Sequence, residues 1–229
     1  ILKSFGQRDN WIYFLSPAVG IFATYLFIRL ALKGDLTRGT SHVLLAIAKK
    51  SSFLPKKETF SHVVTSALTV GLGGSAGLES PIVQTGSAIG STFASVFPIG
   101  YRDRTLLLAC GASAGIAAAF NAPIAGVLFA LEVLLVDVSI SAFIPLLIAG
   151  ATGALCSEII LSEGILLSFK QVRDFDYHNI PFYILLGIAC GLLSTFYRSA
   201  FLWTESIFTK FFRSAFTRLL VGGALLGGL

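Results

Sequence analysis

The distribution of charge along the chain is the feature that most restricts its fold. Lysine and arginine are absent from residues 58–101 and again from residues 105–169. Only 13% of the 229 residues are charged and 55% are hydrophobic, whereas soluble domains carry about 25% charged residues. The sequence therefore predicts an all-α protein that crosses a membrane several times.

The basic residues near the start of the chain indicate its orientation. They cluster between positions 29 and 57, as Arg29, Lys33, Arg38, Lys49, Lys50, Lys56 and Lys57. Because cytoplasmic loops carry an excess of lysine and arginine, we expect this region to face the cytoplasm. These charges flank apolar segments and do not form a soluble basic face, so we do not expect nucleic-acid binding.

The apolar segments differ in length, and the difference carries information. Three are long enough to cross a bilayer as helices, at residues 11–32, 139–161 and 180–212. Others are too short to cross, at residues 43–48, 82–97, 105–120 and 123–135. Short helices that meet at glycine and proline are how transporters build ion sites within the membrane. The pattern thus predicts broken helices around a buried site.

Residues 73–82 read GGSAGLESPI and form the most informative stretch. Pro81 suits the first position of a helix and Ser80 the capping position, so we predict that a helix begins at Ser80-Pro81. A helix N-terminus after glycine-rich backbone attracts anions through free N–H groups and its positive dipole end. Glu79 places a carboxylate at this point, where it can compete with an anion. The alternative is that Glu79 only caps its helix.

A second punctuated stretch, AAAFNAPIAG, occupies residues 117–126 and is followed by Glu132. We predict that Asn121 caps a helix opened by Pro123. By itself this stretch marks a helix–helix junction.

Residues 111–115 read GASAG and match the G-x-S-x-G pattern of hydrolases, with Ser113 as the nucleophile. That pattern needs a strand–turn–helix, and no strand is predicted here. Small residues at this density on a membrane helix favour close packing instead. We expect no enzymatic activity and no catalytic residue.

Histidine and cysteine give no metal or disulfide framework. The histidines fall near polar segment ends, where each is expected to be solvated or capping, at His42, His62 and His178. The cysteines lie in apolar stretches and are odd in number, at Cys110, Cys156 and Cys190. No metal site and no cofactor are predicted.

Both punctuated stretches resemble signatures of one family, the CLC chloride channels and chloride/proton exchangers. Residues 77–81, GLESP, resemble its G-x-E-G-P signature, and residues 117–126 through Glu132 resemble its second signature nearly residue for residue. The resemblance covers roughly residues 11–229 and implies an inverted-repeat membrane fold. Residues 1–178 correspond to the first repeat without its first helix, and residues 179–229 to the start of the second. Since the chain begins at Ile1 and contains no methionine, we expect a fragment.

The resemblance also implies a function. Members carry chloride or a similar anion and form homodimers with one pore per subunit. We expect a multi-pass protein of a bacterial inner (cell) membrane. Glu79 matches the gating glutamate, which moves between an anion site and a protonated state. The implied anion-binding residues are Gly77, Leu78, Glu79, Ser80, Pro81 and Ile82, chiefly through backbone N–H groups.

Two departures from the family pattern concern the anion site. Ser80 replaces the usual glycine, which adds a hydroxyl and limits backbone freedom. Arg38 stands where the family supplies a chloride-coordinating serine, so Thr40 or Ser41 is the candidate replacement donor. Arg38 either adds charge to the inner vestibule or faces the cytoplasm, and the second is our expectation.

A third departure concerns proton coupling. Exchangers often carry an acid directly after the residue that matches Glu132, and here that residue is Val133. Valine carries no proton, so this position favours a passive channel or a weakly coupled exchanger, unless water or Glu132 takes over. Phe120, Asn121, Glu132 and Val133 are expected near the pore or vestibule. An unrelated secondary transporter with broken helices is the remaining alternative.

Overall fold

The fold comes from a computed structural model, which describes residues 10–33, 39–49, 51–134, 140–161, 176–212, 217–218 and 221–223. Within these ranges the regular structure is helical and contains no strand, as the sequence predicts. The chain divides into two compact units, Ile1–Ser168 and Phe169–Leu229.

Seven α-helices build the described part of the first unit. They are α1 Asn10–Leu30, α2 Thr40–Ala48, α3 Glu58–Gly71, α4 Glu79–Ala94, α5 Tyr101–Phe120, α6 Pro123–Phe129 and α7 Ile140–Leu161. Helix α6 continues directly as a π-helical turn, Ala130–Leu134. The second unit holds a short 3₁₀ turn, Tyr177–Asn179, followed by α8, Ile180–Phe211.

Three helices in the described residues are long and apolar enough to cross a membrane, at Tyr101–Phe120, Ser141–Ile160 and Tyr177–Phe211. The first differs from prediction, because the sequence assigned α5 only residues 105–120. The polar residues before Thr105 form its first turn instead. There Asp103 lies at the positive end of the helix dipole.

Arg104 shows why this polar turn is tolerated. Its guanidinium donates hydrogen bonds to the carbonyl oxygens of Ser51 (3.0 Å) and Ile99 (3.3 Å). It also lies 3.7 Å from the centre of the Phe53 ring. Hydropathy alone could not anticipate these partners, since they come from outside the helix.

Helices α4 and α5 are in direct backbone contact. A Cβ atom added to Gly86 would overlap the carbonyl oxygen of Gly111, and one added to Gly111 would overlap that of Gly86. A Cβ atom added to Gly90 would likewise overlap the carbonyl oxygen of Leu107. Glycines of this kind let helices approach closely enough for van der Waals attraction to hold them together in lipid. The α4–α5 pair is therefore the base on which the neighbouring elements pack.

A buried polar network joins the segment after α2 to this base. The Ser52 and Thr105 hydroxyls are 2.7 Å apart, and Ser91 Oγ donates to the Ser52 carbonyl at 2.9 Å. Ser91 Oγ in turn accepts from the Leu54 N–H, also at 2.9 Å. Tyr101 donates to the Ile47 carbonyl at the end of α2. Since buried polar groups are costly when unpaired, this network fixes the C-terminal end of α2.

The backbone contact at Gly86 predicts a strong sensitivity to a single methyl group. Gly86→Ala should lower the stability of the folded protein by about 1–3 kcal/mol, because α4 and α5 must separate to accept the methyl group. The thermal midpoint of the full-length protein in detergent measures this. Gly71→Ala is the matched control, since an added Cβ there meets no atom within 4 Å. Equal midpoints for the two variants would contradict the packing described.

Candidate functional site

Helix α4 begins at Glu79, two residues before the predicted first helical residue, Pro81. Leu78 is the capping residue and its side chain makes no capping hydrogen bond, so the expectation for Ser80 as a cap is wrong. Pro81 is instead the third residue, still in the first turn, where no helical bond needs its N–H. The Ile82 N–H donates to the Leu78 carbonyl at 3.0 Å. Helix geometry thus leaves the N–H groups of Leu78, Glu79 and Ser80 for other partners.

The Glu79 carboxylate stays close to its own helix start. Its side chain is exposed and turns back over Gly77, where an added Cβ would lie 2.8 Å from Oε2. Glycine at position 77 therefore leaves the room that the carboxylate occupies. The nearby positive end of the helix dipole favours its negative charge.

A second helix N-terminus meets this one. Gly39 precedes α2 with φ 66° and ψ 176°, a conformation that glycine adopts without strain. Thr40 Oγ1 donates to Ser80 Oγ at 3.4 Å. Gln84 Nε2 donates to the Gly39 carbonyl at 2.6 Å. The starts of α2 and α4 are therefore joined through side chains of α4.

The structure brings some of the predicted site residues together. Thr40, Glu79 and Ser80 lie at the two helix starts, whereas Ser41 is exposed in the first turn of α2. Gly77 and Leu78 are exposed in the approach to α4. Arg38 lies outside the described residues.

Asn121 has a different role from the one predicted. It closes α5 in the left-handed conformation (φ 49°, ψ 41°), and its N–H returns to the Ala117 carbonyl. The Ala122 N–H donates to the same oxygen, and Ala122 is the capping residue of α6. Asparagine tolerates left-handed backbone, which explains its use as a helix stop. Phe120, the last residue of α5, is half-buried against the core.

Glu132 and Val133 lie in the π-helical turn after α6. Both are exposed, whereas Ala130 and Leu134 of the same turn are buried in one core with Val43 and other residues of α2. Such turns occur frequently at functional sites.

The sequence did not predict that Glu58 and His62 are buried or that His42 lies beside Glu58. Glu58 at the start of α3 is 2% exposed and lies 3.4 Å from Nδ1 of His42. His62 is 5% exposed, so the expectation that it is solvated is wrong. Its four-residue spacing from Glu58 on α3 was the available signal, because such residues share a helix face.

Ser113 has a packing role. It is fully buried, and its hydroxyl is 3.4 Å from the Leu146 carbonyl of α7. An added Cβ at Gly150 of α7 would lie 3.2 Å from the same hydroxyl. A nucleophile needs access to substrate, so this geometry offers no support for a hydrolase.

The contact between the two helix starts is open to direct test. With Cys110, Cys156 and Cys190 replaced by alanine, the double variant Thr40→Cys, Ser80→Cys should cross-link under mild oxidation, since the native side chains touch. A mobility shift after proteolysis between the two positions would report the bond. The control pair, Thr40→Cys with Ser95→Cys at the far end of α4, should stay uncross-linked. Equal cross-linking of both pairs would contradict the arrangement.

The sequence matches the family described as voltage gated chloride channel over residues 19–229. It is 27% identical over 223 residues to a protein of Ralstonia nicotianae described as ClcB-like, covering 96% of this chain and 52% of that protein. It is 32% identical over 167 residues to the H(+)/Cl(-) exchange transporter ClcA of Yersinia pestis, covering 70% of this chain and 34% of that one.

The fold has a solved counterpart. A CLC-type fluoride/proton antiporter superposes with a TM-score of 0.78 at 26% sequence identity, over 94% of this chain and 54% of that chain. The chain thus spans about half the length of the antiporter and of the ClcB-like relative. The family match, two signature stretches and a shared helical fold agree, and this chain belongs to the voltage gated chloride channel (CLC) family.

Proposed function

We propose that the protein moves chloride or a similar small anion across a membrane and that Glu79 is the gate. The observation that carries the proposal is the position of the Glu79 carboxylate, at the start of α4 and one residue from the Ser80 contact with α2. An anion held by the N–H groups there must share the site with this carboxylate.

Two helix N-termini contribute to the electrostatics of this place. Each helix N-terminus behaves as a partial positive charge of roughly half an elementary charge. Where two such ends meet, a chloride ion that loses hydration water finds N–H donors in its place. A carboxylate uses the same donors, so it excludes the anion while it is ionised. Protonation removes its charge, and the anion gains access.

Hydroxyl groups complete the proposed set of donors. Thr40 and Ser80 each carry one O–H group, and their oxygens are 3.4 Å apart. We propose that these hydroxyls coordinate the anion in place of the family's serine, at whose position this chain has Arg38. Gly77, Leu78, Pro81, Ile82 and Ser41 belong to the surrounding wall in this proposal. The N–H group of Ile82, which is bonded within the helix, is not assigned to the anion.

Two modes of transport are open, and different observations favour them. Valine at position 133 favours passive, channel-like conduction, because no acid at that position relays protons. The names of the relatives favour coupled exchange, because one is an H(+)/Cl(-) exchange transporter and another a fluoride/proton antiporter. Channel-like conduction is our first proposal and exchange is the second.

Family membership supports a wider proposal. We propose a multi-pass protein of the bacterial inner membrane that acts as a homodimer and needs no cofactor. Residues 1–178 form its first repeat and residues 179–229 begin its second.

Replacing the gate should abolish the pH response of anion flux. Glu79→Gln and Glu79→Ala remove the competing charge, so efflux of chloride from liposomes containing the full-length protein should be several-fold faster at neutral pH. It should also no longer rise as pH falls. Glu158→Gln, an exposed acid on α7, is the matched control. Unchanged rate and unchanged pH response in both Glu79 variants would refute the gating role.

Coupling is measured by proton movement. A chloride gradient should drive little proton uptake into liposomes if Val133 makes the protein channel-like. Val133→Glu supplies a protonatable group in the same turn, and proton movement should then increase. If the unaltered protein moves protons in a fixed stoichiometric ratio to chloride, channel-like conduction is contradicted and exchange is supported.

A further inference from the structure

Gln84 is a buried polar residue that the signature stretch does not explain. It is 1% exposed, and its Nε2 donates to the Gly39 carbonyl, 45 residues away in the sequence, at 2.6 Å. Gln84 follows Ser80 by four residues, so both side chains lie on one face of α4. That face is the one in contact with the start of α2.

This bond acts on a single peptide unit. The Gly39 carbonyl also accepts from the His42 N–H at 3.1 Å, which closes the first turn of α2. The C=O and N–H of a trans peptide point in opposite directions. Holding the Gly39 oxygen therefore also sets the direction of the Thr40 N–H, the first donor of α2.

The partner of this bond is rigid. At Gly86 and Gly90 the backbone of α4 is in contact with the backbone of α5, so the part of α4 that carries Gln84 has little freedom to move. The contact between Thr40 and Ser80 is longer, at 3.4 Å, and joins two rotatable hydroxyls. Gln84 thus provides the shorter of these two polar links between the helix starts.

We propose that Gln84 is a positioning residue, which orients the N–H donors of α2 toward the anion and thereby sets anion affinity and selectivity. The inference rests on the proposed function, because it assumes an anion between the two helix starts. Gln84 does not touch the anion in this proposal. It acts through the Gly39–Thr40 peptide.

Chloride binding to the full-length protein tests the proposal, by calorimetry in detergent and by the half-saturating chloride concentration in liposomes. Gln84→Leu keeps the size of the side chain and removes the donor, so the dissociation constant should rise roughly tenfold, as for loss of one hydrogen bond. The maximal rate should change less, and discrimination between chloride and nitrate should fall. Ser87→Ala is the control, since Ser87 is equally buried on α4.

A second variant separates positioning from simple stability. In a Glu79→Gln background, Gln84→Glu introduces a carboxyl that donates to the Gly39 oxygen when protonated and repels it when ionised. Chloride affinity should be near normal at low pH and fall reversibly as pH rises. The control is the Glu79→Gln variant with Gln84 intact, which should lack this added pH dependence of chloride affinity. It retains the other titratable groups close to the start of α2, namely His42, Glu58 and His62.

The outcomes are distinct. If the unaltered protein binds chloride and both Gln84 variants match it in affinity, selectivity and pH response, the inference is overturned while the proposed function stands. If the unaltered protein neither binds nor transports an anion, the proposed function fails and the inference fails with it. If Gln84→Leu does not fold, the pH response of the Gln84→Glu variant decides.

Discussion

A backbone N–H in lipid has no water to bind, so a helix that starts within a membrane must find partners inside the protein. In the function we propose, the starts of α2 and α4 share that constraint. Helices α2 and α4 begin beside each other, joined by Ser80 and Gln84 of α4 and by Gly39 and Thr40 of α2. The N–H groups that helix geometry leaves free at the two starts thus lie close together, and we propose that an anion or the Glu79 carboxylate occupies this place.

Close packing of α4 on α5 makes this meeting point possible. Because Gly86 and Gly111 bring the two backbones into contact, α4 has little freedom to shift. The network of Ser52, Ser91 and Thr105 then ties the segment after α2 to the same pair. Helix α2 is therefore held at both ends, by this network at its C-terminal side and by Gln84 at its N-terminal side.

Particular residues show how far sequence reasoning reached. The Glu79 region was found because glycine, an acid and proline have strong local preferences next to a helix start. The predicted start lies two residues after the observed one, because Leu78 takes the capping position and Ser80 lies inside the helix, where its hydroxyl contacts Thr40. Asn121 was assigned to the wrong helix, because the same side chain suits both a cap and a left-handed stop. Neither Gln84 nor the pairing of His42 with Glu58 had a local signal, as their partners lie far along the chain.

The sequence by itself determined the helical class, the approximate positions of most helices and the family, because hydropathy and helix punctuation are local properties. It also determined that an acid stands at a helix start among glycines. Only the tertiary structure decided that the start of α2 meets that of α4, that α5 extends back to Tyr101, and that Ser113 is buried. Those facts depend on which groups, distant in the sequence, form hydrogen bonds and pack against each other. Local sequence patterns do not show which residues these partners are.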